Sequence, residues 1–238
     1  MTAELTVLVP CYNEKATLRP SVERVLALAS QVTLEIIIVN DASKDNSLEI
    51  AQELAAAHPQ VVRVCTHDVN QGKGAALHTG IRHATGAYVC IHDADLEYDP
   101  NDMLNMLRLA QREKVDVVFG SRFMGEQHGA YYHIHALANR GLTLISNIFT
   151  GWWISDMETC YKLVPRTVLQ ALPLKEKRFG FEPEIVARLA RYRWPDGRRL
   201  SYRDVPINYT GRKYKDGKKI GIKDGFRALY CLVRYNFF

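Results

Sequence analysis

The chain predicts an α/β fold built on a mostly parallel sheet, and three observations predict it. Across the first hundred residues, short runs rich in Val and Ile alternate with stretches of helical periodicity, in the order β-α-β-α-β-α-β. The runs are continuously apolar, as strands covered on both faces must be. Each then stops in polar or acidic residues, which places a row of functional loops along one edge of the sheet.

The elements follow in order. Leu5 to Pro10 is a strand stopped by proline. A helix runs from about Thr17 to Ser30, with Leu18, Val22, Val25, Leu26 and Ala29 at helical spacing. Leu34 to Val39 is the second strand, Asn46 to His58 the second helix and Val61 to Thr66 the third strand. Ala75 to Ala84 is a third helix, leading into the strand Tyr88 to Ile91. Pro100 to Arg112 reads as a helix and Val115 to Gly120 as a strand. The texture changes after Gly125: helices are expected over 136–150, 165–171 and from Phe181 to Tyr192. Val205 to Tyr209 reads as an edge strand, and Phe226 to Phe238 as an amphipathic terminal helix. With no repeat, low-complexity tract or linker, residues 1–238 read as one domain: a first half to 123, a second half over 124–210, and a basic segment with its helix over 211–238.

Composition narrows the class. Hydrophobic residues make up 47% of 238, ordinary for a domain with a sizeable core. Cys11, Cys65, Cys90, Cys160 and Cys231 are odd in number and lack metal-type spacing, so a reducing compartment and a cytoplasmic location are expected. No leader is evident and no apolar run reaches the ~20 residues a spanning helix needs. The expectation is a soluble or at most peripheral protein. The net charge is +5, but Arg198 to Arg234 holds eleven Lys/Arg against three Asp, a local +8 that leaves −3 for the rest. Such a tail suits an anionic partner: phosphate, lipid headgroup or nucleic acid. No nucleic-acid-binding motif accompanies it, and nucleic acid is not expected.

The strand ends carry the chemistry. After the fourth strand, His92-Asp93-Ala94-Asp95-Leu96-Glu97 brings two carboxylates to the rim, where they can share a divalent cation with phosphates. The other reading is a solvated acidic turn. The first three strand ends supply Tyr12, Asn13 and Glu14; Asp41, Ser43 and Asp45; and Asn70 to Gly74. Gln71-Gly72-Lys73-Gly74 has the wrong spacing for a P-loop, and no Gly-x-Gly-x-x-Gly follows the first strand. ATPase and dehydrogenase classes are thereby disfavoured.

Val9-Pro10-Cys11-Tyr12-Asn13-Glu14, Val39 to Asp45, Asn70 to Ala75 and Asp93-Ala94-Asp95 stand in the order and spacing of the family 2 glycosyltransferases. The resemblance continues through Gly120-Ser121-Arg122 and Asp156 to Lys162. The chain resembles most the polyprenyl-phosphate sugar transferases, of which dolichol-phosphate mannosyltransferase is one. The resemblance implies a GT-A fold, Rossmann-like with a mostly parallel central sheet, and inverting transfer of a hexose from a GDP- or UDP-sugar to a polyprenyl phosphate. It implies that Pro10, Tyr12, Glu14, Asp41, Lys73 and Ala94 line the donor site. It further implies that Asp93 and Asp95, with Glu97 beside them, hold Mg²⁺ or Mn²⁺ against the diphosphate. Arg122 and Arg140 would face the acceptor phosphate or diphosphate, and Arg212, Lys218 and Lys219 would form a basic loop over the phosphates.

Several residues carry two readings. A phosphate acceptor needs no strong base, whereas a sugar hydroxyl does, and Asp156 and Glu158 are the candidates, with Glu184 a third. Glu158 and Lys162 are four apart and could pair on a helix; Glu184 could be a capping carboxylate. His128, His133 and His135 read as a polar loop rather than a metal site. Trp152 and Trp153 suit a sugar face, a membrane interface or the core. The terminal helix could lie on a membrane or dock on the domain. Two other functions stay open: transfer to a hydroxyl of a cell-envelope polysaccharide or glycolipid, and a catalytically silent homologue that binds nucleotide or anionic surfaces.

Overall fold

The computed structural model describes residues 3–124, 133–211 and 222–238. A seven-stranded sheet runs in the order β3-β2-β1-β4-β6-β5-β7. Its strands are β1 (Leu5–Cys11), β2 (Leu34–Asn40), β3 (Val62–Thr66), β4 (Tyr88–Ile91), β5 (Val117–Ser121), β6 (Lys162–Pro165) and β7 (Tyr202–Pro206). The helices are α1 (Leu18–Leu26), α2 (Ser47–Ala57), α3 (Lys73–His83), α4 (Asn101–Glu113), α5 (His133–Thr150), α6 (Arg166–Ala171), α7 (Phe181–Arg191) and α8 (Ile222–Phe237).

Strands β1 to β4 are parallel neighbours, and every residue of β2 is buried. After β3 the chain crosses to the far side of β1 to form β4. The strand order therefore reverses between β1 and β4, and the crevice at that reversal is where open α/β sheets bind ligands. Pro10 does not stop β1, which pairs with β2 as far as Cys11. The β4 side of β1 is matched only to Leu8, opposite Ile91, so a residue without an N–H is tolerated two positions later.

Three expectations change. β6 was not expected, because a four-residue strand bounded by Lys162 and Pro165 leaves too short an apolar run to see. It lies antiparallel between β4 and β5 and joins the two parts of the sheet. β7 starts three residues before the expected Val205, with Pro206 as its last residue on an edge where the missing N–H costs nothing. The 17–30 helix is α1 followed by a 3-10 turn over Ala27–Ser30. Within the described residues no helix is long and apolar enough to cross a membrane.

Candidate active site

The loops after β1 and β2 are sewn together by short side chains acting on backbone. The Asn13 N–H donates to Ser43 Oγ (3.0 Å), the Lys44 N–H to Asn13 Oδ1 (2.8 Å) and the Glu14 N–H to Ser47 Oγ (2.8 Å). Asn13 and Ala42 both sit at φ 56°, and Leu96 after β4 at φ 64°. Left-handed residues without glycine persist where the surroundings enforce them, and they gather at functional sites. Pro10, Tyr12 and Glu14 lie half-buried on this rim, as does Asp95; Ala94 is buried.

Asp41 is buried, and its carboxylate organises the lysine-glycine loop. It accepts from Asn70 Nδ2 (2.8 Å), the Gln71 N–H (2.9 Å) and the Gly72 N–H (2.7 Å), and His67 Nδ1 lies 2.7 Å away. The loop's glycines have a packing reason too. The backbone of Glu176 and Lys177 passes over the start of α3, where the Ala75 N–H donates to the Lys177 carbonyl (3.0 Å). A Cβ on Gly74 would stand 2.2 Å from the Glu176 carbonyl oxygen, and one on Gly72, at φ 101°, 2.5 Å from that of Lys177.

Lys73 begins α3 and points back to the rim. Its Nζ donates to Asp93 Oδ2 (2.8 Å) and lies 3.7 Å from Glu182 Oε1, while Lys162 Nζ donates to Glu182 Oε2 (2.7 Å). Four alternating charges thus run from the end of β4 through the first turn of α7 to the start of β6. Burial opposes the charge on Asp93, but the Lys73 ammonium outweighs it and holds the carboxyl below the usual range. His92, the residue before Asp93, is held in place: its ring bridges Tyr161 Oη (2.8 Å) and Ser21 Oγ (3.0 Å), and burial lowers it to about 4, so it stays neutral. Neither Glu182 nor the His92–Tyr161 pair was expected here. The only hint was a glutamate two residues ahead of Glu184.

Across the rim, Arg122 forks onto Asp156, with Nε to Oδ2 at 2.7 Å and Nη2 to Oδ1 at 2.9 Å; Asn139 Nδ2 adds 3.1 Å. Burial opposes ionisation of Asp156, yet Arg122 overrides it and keeps its carboxyl low. Glu158 is the opposite case. Burial, and then the neighbouring Glu182 charge, push it up to about 7, and its Oε1 is buried with no hydrogen-bond partner. The alternative Glu158–Lys162 helical pair does not form, because residue 158 lies in a turn and Lys162 opens β6, facing Glu182. Glu184 does not cap α7: it accepts the N–H groups of Lys175 (2.9 Å) and Glu176 (2.7 Å) and so holds the loop ahead of that helix. Arg140 is exposed, with its guanidinium 5.0 Å above the Phe123 ring.

Glu97 accepts from Tyr209 Oη (2.7 Å), and its carbonyl takes the Thr210 N–H (2.8 Å). Among the described residues no three His, Cys, Asp or Glu side chains are grouped to hold a metal. Two hard carboxylates at a rim still fit a cation that takes its other ligands from phosphate and water, as Mg²⁺ does. Trp152 is core, stacked on Tyr202 at 4.6 Å, while Trp153 is exposed. Arg212, Lys218, Lys219 and His128 lie outside the described residues, as do the side chains of His133 and His135.

A mostly parallel sheet with a carboxylate pair at its reversal and a lysine-glycine loop alongside is an arrangement of the GT-A fold class. The solved glucosyl-3-phosphoglycerate synthase of Mycobacterium tuberculosis, crystallised with Mn²⁺, UDP and phosphoglyceric acid, superposes with a TM-score of 0.71 at 16% identity, over 99% of this chain and 79% of that one. The mannosyl-3-phosphoglycerate synthase of Rubrobacter xylanophilus gives 0.72 at 16%, over 98% and 73%. The model of glycosyl transferase family 2 matches residues 6–172, and the chain belongs to that family. Relatives include a dolichyl-phosphate beta-glucosyltransferase of Trichomonas vaginalis, 29% identical over 86% of this chain and 63% of its own length. A dodecaprenyl-phosphate galacturonate synthase of Rhizobium johnstonii is 26% identical over 99% and 67%. An uncharacterized protein of Methanocaldococcus jannaschii is 24% identical over 99% and 93%.

Proposed function

We propose that this chain is an inverting hexosyltransferase that moves a sugar from a GDP- or UDP-sugar to a polyprenyl phosphate. The observation that carries the reading is the Asp93–Asp95 rim at the β1/β4 reversal, faced by Lys73. Asp93 and Asp95 would hold Mg²⁺ or Mn²⁺, which neutralises charge developing on the leaving diphosphate. Pro10, Tyr12 and Glu14 border the space for the nucleoside, and Asp41 acts through the loop it shapes. Were Asp93 to hold the cation, Lys73 would keep Glu182, 3.7 Å away, as a partner. Arg212, Lys218 and Lys219 would add positive charge to offset the diphosphate. Arg122 and Arg140 would face the acceptor phosphate or the diphosphate. The names of two relatives supply the lipid-phosphate acceptor, an anionic nucleophile that needs no base.

One observation favours a second acceptor class. Glu158 combines an unpartnered buried oxygen with a value near 7, the state wanted in a general base for a sugar hydroxyl. Asp156 does not compete for that role, being saturated by Arg122 and Asn139.

A donor screen decides among these. Purified protein is given a panel of nucleotide sugars with a short-chain prenyl phosphate or with hydroxyl acceptors, with and without Mn²⁺ or Mg²⁺. Metal-dependent transfer to the prenyl phosphate that survives Glu158→Gln supports the first reading. Transfer only to hydroxyls, lost in Glu158→Gln, supports the second. No transfer and no metal-dependent nucleotide binding leaves a silent homologue.

A further inference from the structure

Helix α8 is apolar on two opposite faces. Ala228, Cys231, Leu232 and Tyr235 are buried against the domain, where Arg227 donates to Glu176 (2.7 Å) and Tyr235 Oη to the same carboxylate (2.7 Å). The opposite face presents Phe226, Leu229, Tyr230, Val233 and Phe237, all exposed, at the i, i+3, i+4, i+7, i+11 spacing of one stripe. Of the two placements expected for this helix, docking on the domain therefore accounts for only half of its apolar surface.

Helix α5 repeats the pattern. Leu137, Leu144 and Ile148 are exposed on one stripe, while Asn139, Thr143, Ser146 and Asn147 face inward. The two stripes meet where Phe149 of α5 packs edge-on to Phe237 of α8, with ring centroids 4.9 Å apart. Trp153, 70% exposed, follows three residues after the end of α5. A water-soluble surface rarely leaves so many large apolar side chains side by side.

Charge says what covers them. Across α5 and α8 the only acidic residue is Asp224, against Arg140, Lys223, Arg227 and Arg234. Arg234 follows Val233 directly and so flanks the α8 stripe, whereas Arg227 is held by Glu176. Arginines beside exposed Phe, Leu, Tyr and Trp match the boundary between acyl chains and anionic headgroups.

We propose that the outward faces of α5 and α8 form one platform that docks on an anionic lipid bilayer. The proposal deepens the lipid-acceptor reading and rests on that reading for its purpose, though not for its measurement. α5 also supplies Asn139 to Asp156, and α8 is tied to Glu176 beside the carbonyl that receives the start of α3. The platform is thus fixed to both sides of the site, and docking would set the rim at a constant height above the headgroups.

Flotation of the whole chain with vesicles tests it, using phosphatidylcholine alone and phosphatidylcholine mixed with phosphatidylglycerol. The wild type should float with the anionic vesicles and less so at high salt. Leu144→Asp/Ile148→Asp and Phe226→Asp/Val233→Asp should each weaken the partition at least about tenfold, from the apolar area withdrawn. Leu144→Ser/Ile148→Ser is the milder control, and circular dichroism and donor-nucleotide binding should stay as in wild type. Failure of the wild type to float overturns the proposal. So does elution as a dimer that these substitutions dissociate, which would assign the face to a second copy. Flotation without donor binding would keep the platform and reject the transferase reading; donor binding without flotation would do the reverse.

Discussion

The two sides of the site are held by different physics. On the donor side, small neutral or acidic side chains grip backbone: Ser43, Ser47 and Asn13 join two loops, and Asp41 gathers a third. On the acceptor side, buried charges hold one another, as in Arg122–Asp156 and Lys162–Glu182. A backbone-held cradle loses little when one bond is cut, because its neighbours remain. A buried ion pair that loses one partner leaves an uncompensated charge. The contrast predicts a tolerant donor rim and a brittle acceptor side.

Arg122→Ala should break this contrast most strongly. It strands the buried Asp156 carboxylate and should lower stability by about 3–5 kcal/mol, read in urea unfolding. Ser43→Ala, which removes one exposed hydrogen bond, should cost no more than about 1 kcal/mol. Equal losses would end the distinction. The donor side has one brittle point of its own: Gly74→Ala sets a Cβ against fixed backbone and should cost about 1–3 kcal/mol, seen in the same unfolding curves.

Glu158 sharpens the comparison through pH. Its value of about 7 lies above the ordinary carboxylate range, so folding favours its protonated form. That contribution is fully present below about pH 4.5 and is lost as pH rises through about 7. Glu158→Gln should therefore flatten stability across that window without a loss at neutral pH. If Glu158 is the base, transfer to a hydroxyl should rise through about pH 7. Glu182→Gln, by removing the neighbouring charge, should move that rise to lower pH. An unchanged rise would detach Glu158 from the chemistry.

The same contrast explains what could be read in the chain beforehand. The donor half is local: each continuous apolar strand is followed within a few residues by the side chains it delivers, so Tyr12, Asp41 and Asp93 could be placed by order alone. The acceptor half is assembled across the sequence. Lys162 meets Glu182 twenty positions away and Asp156 meets Arg122 thirty-four away, and no periodicity encodes either distance. Strand β6 escaped for a related reason, since its identity comes from the edges of β4 and β5 that it joins. The two roles of Glu158 and Asp156 were inseparable in sequence, being acidic residues two apart; only burial and partners separate a locked carboxylate from an available one.

The central claim is that Asp93 and Asp95 turn a strand end into a cation-dependent grip on a sugar nucleotide. Calorimetric titration of UDP- and GDP-sugars into wild type and Asp93→Asn/Asp95→Asn, with and without Mn²⁺, measures it directly. The account predicts that wild type binds one donor only when the metal is present. In the variant, which keeps its fold, that gain should fall by on the order of 10²- to 10³-fold. Equal affinity in both proteins, indifferent to metal, would contradict it.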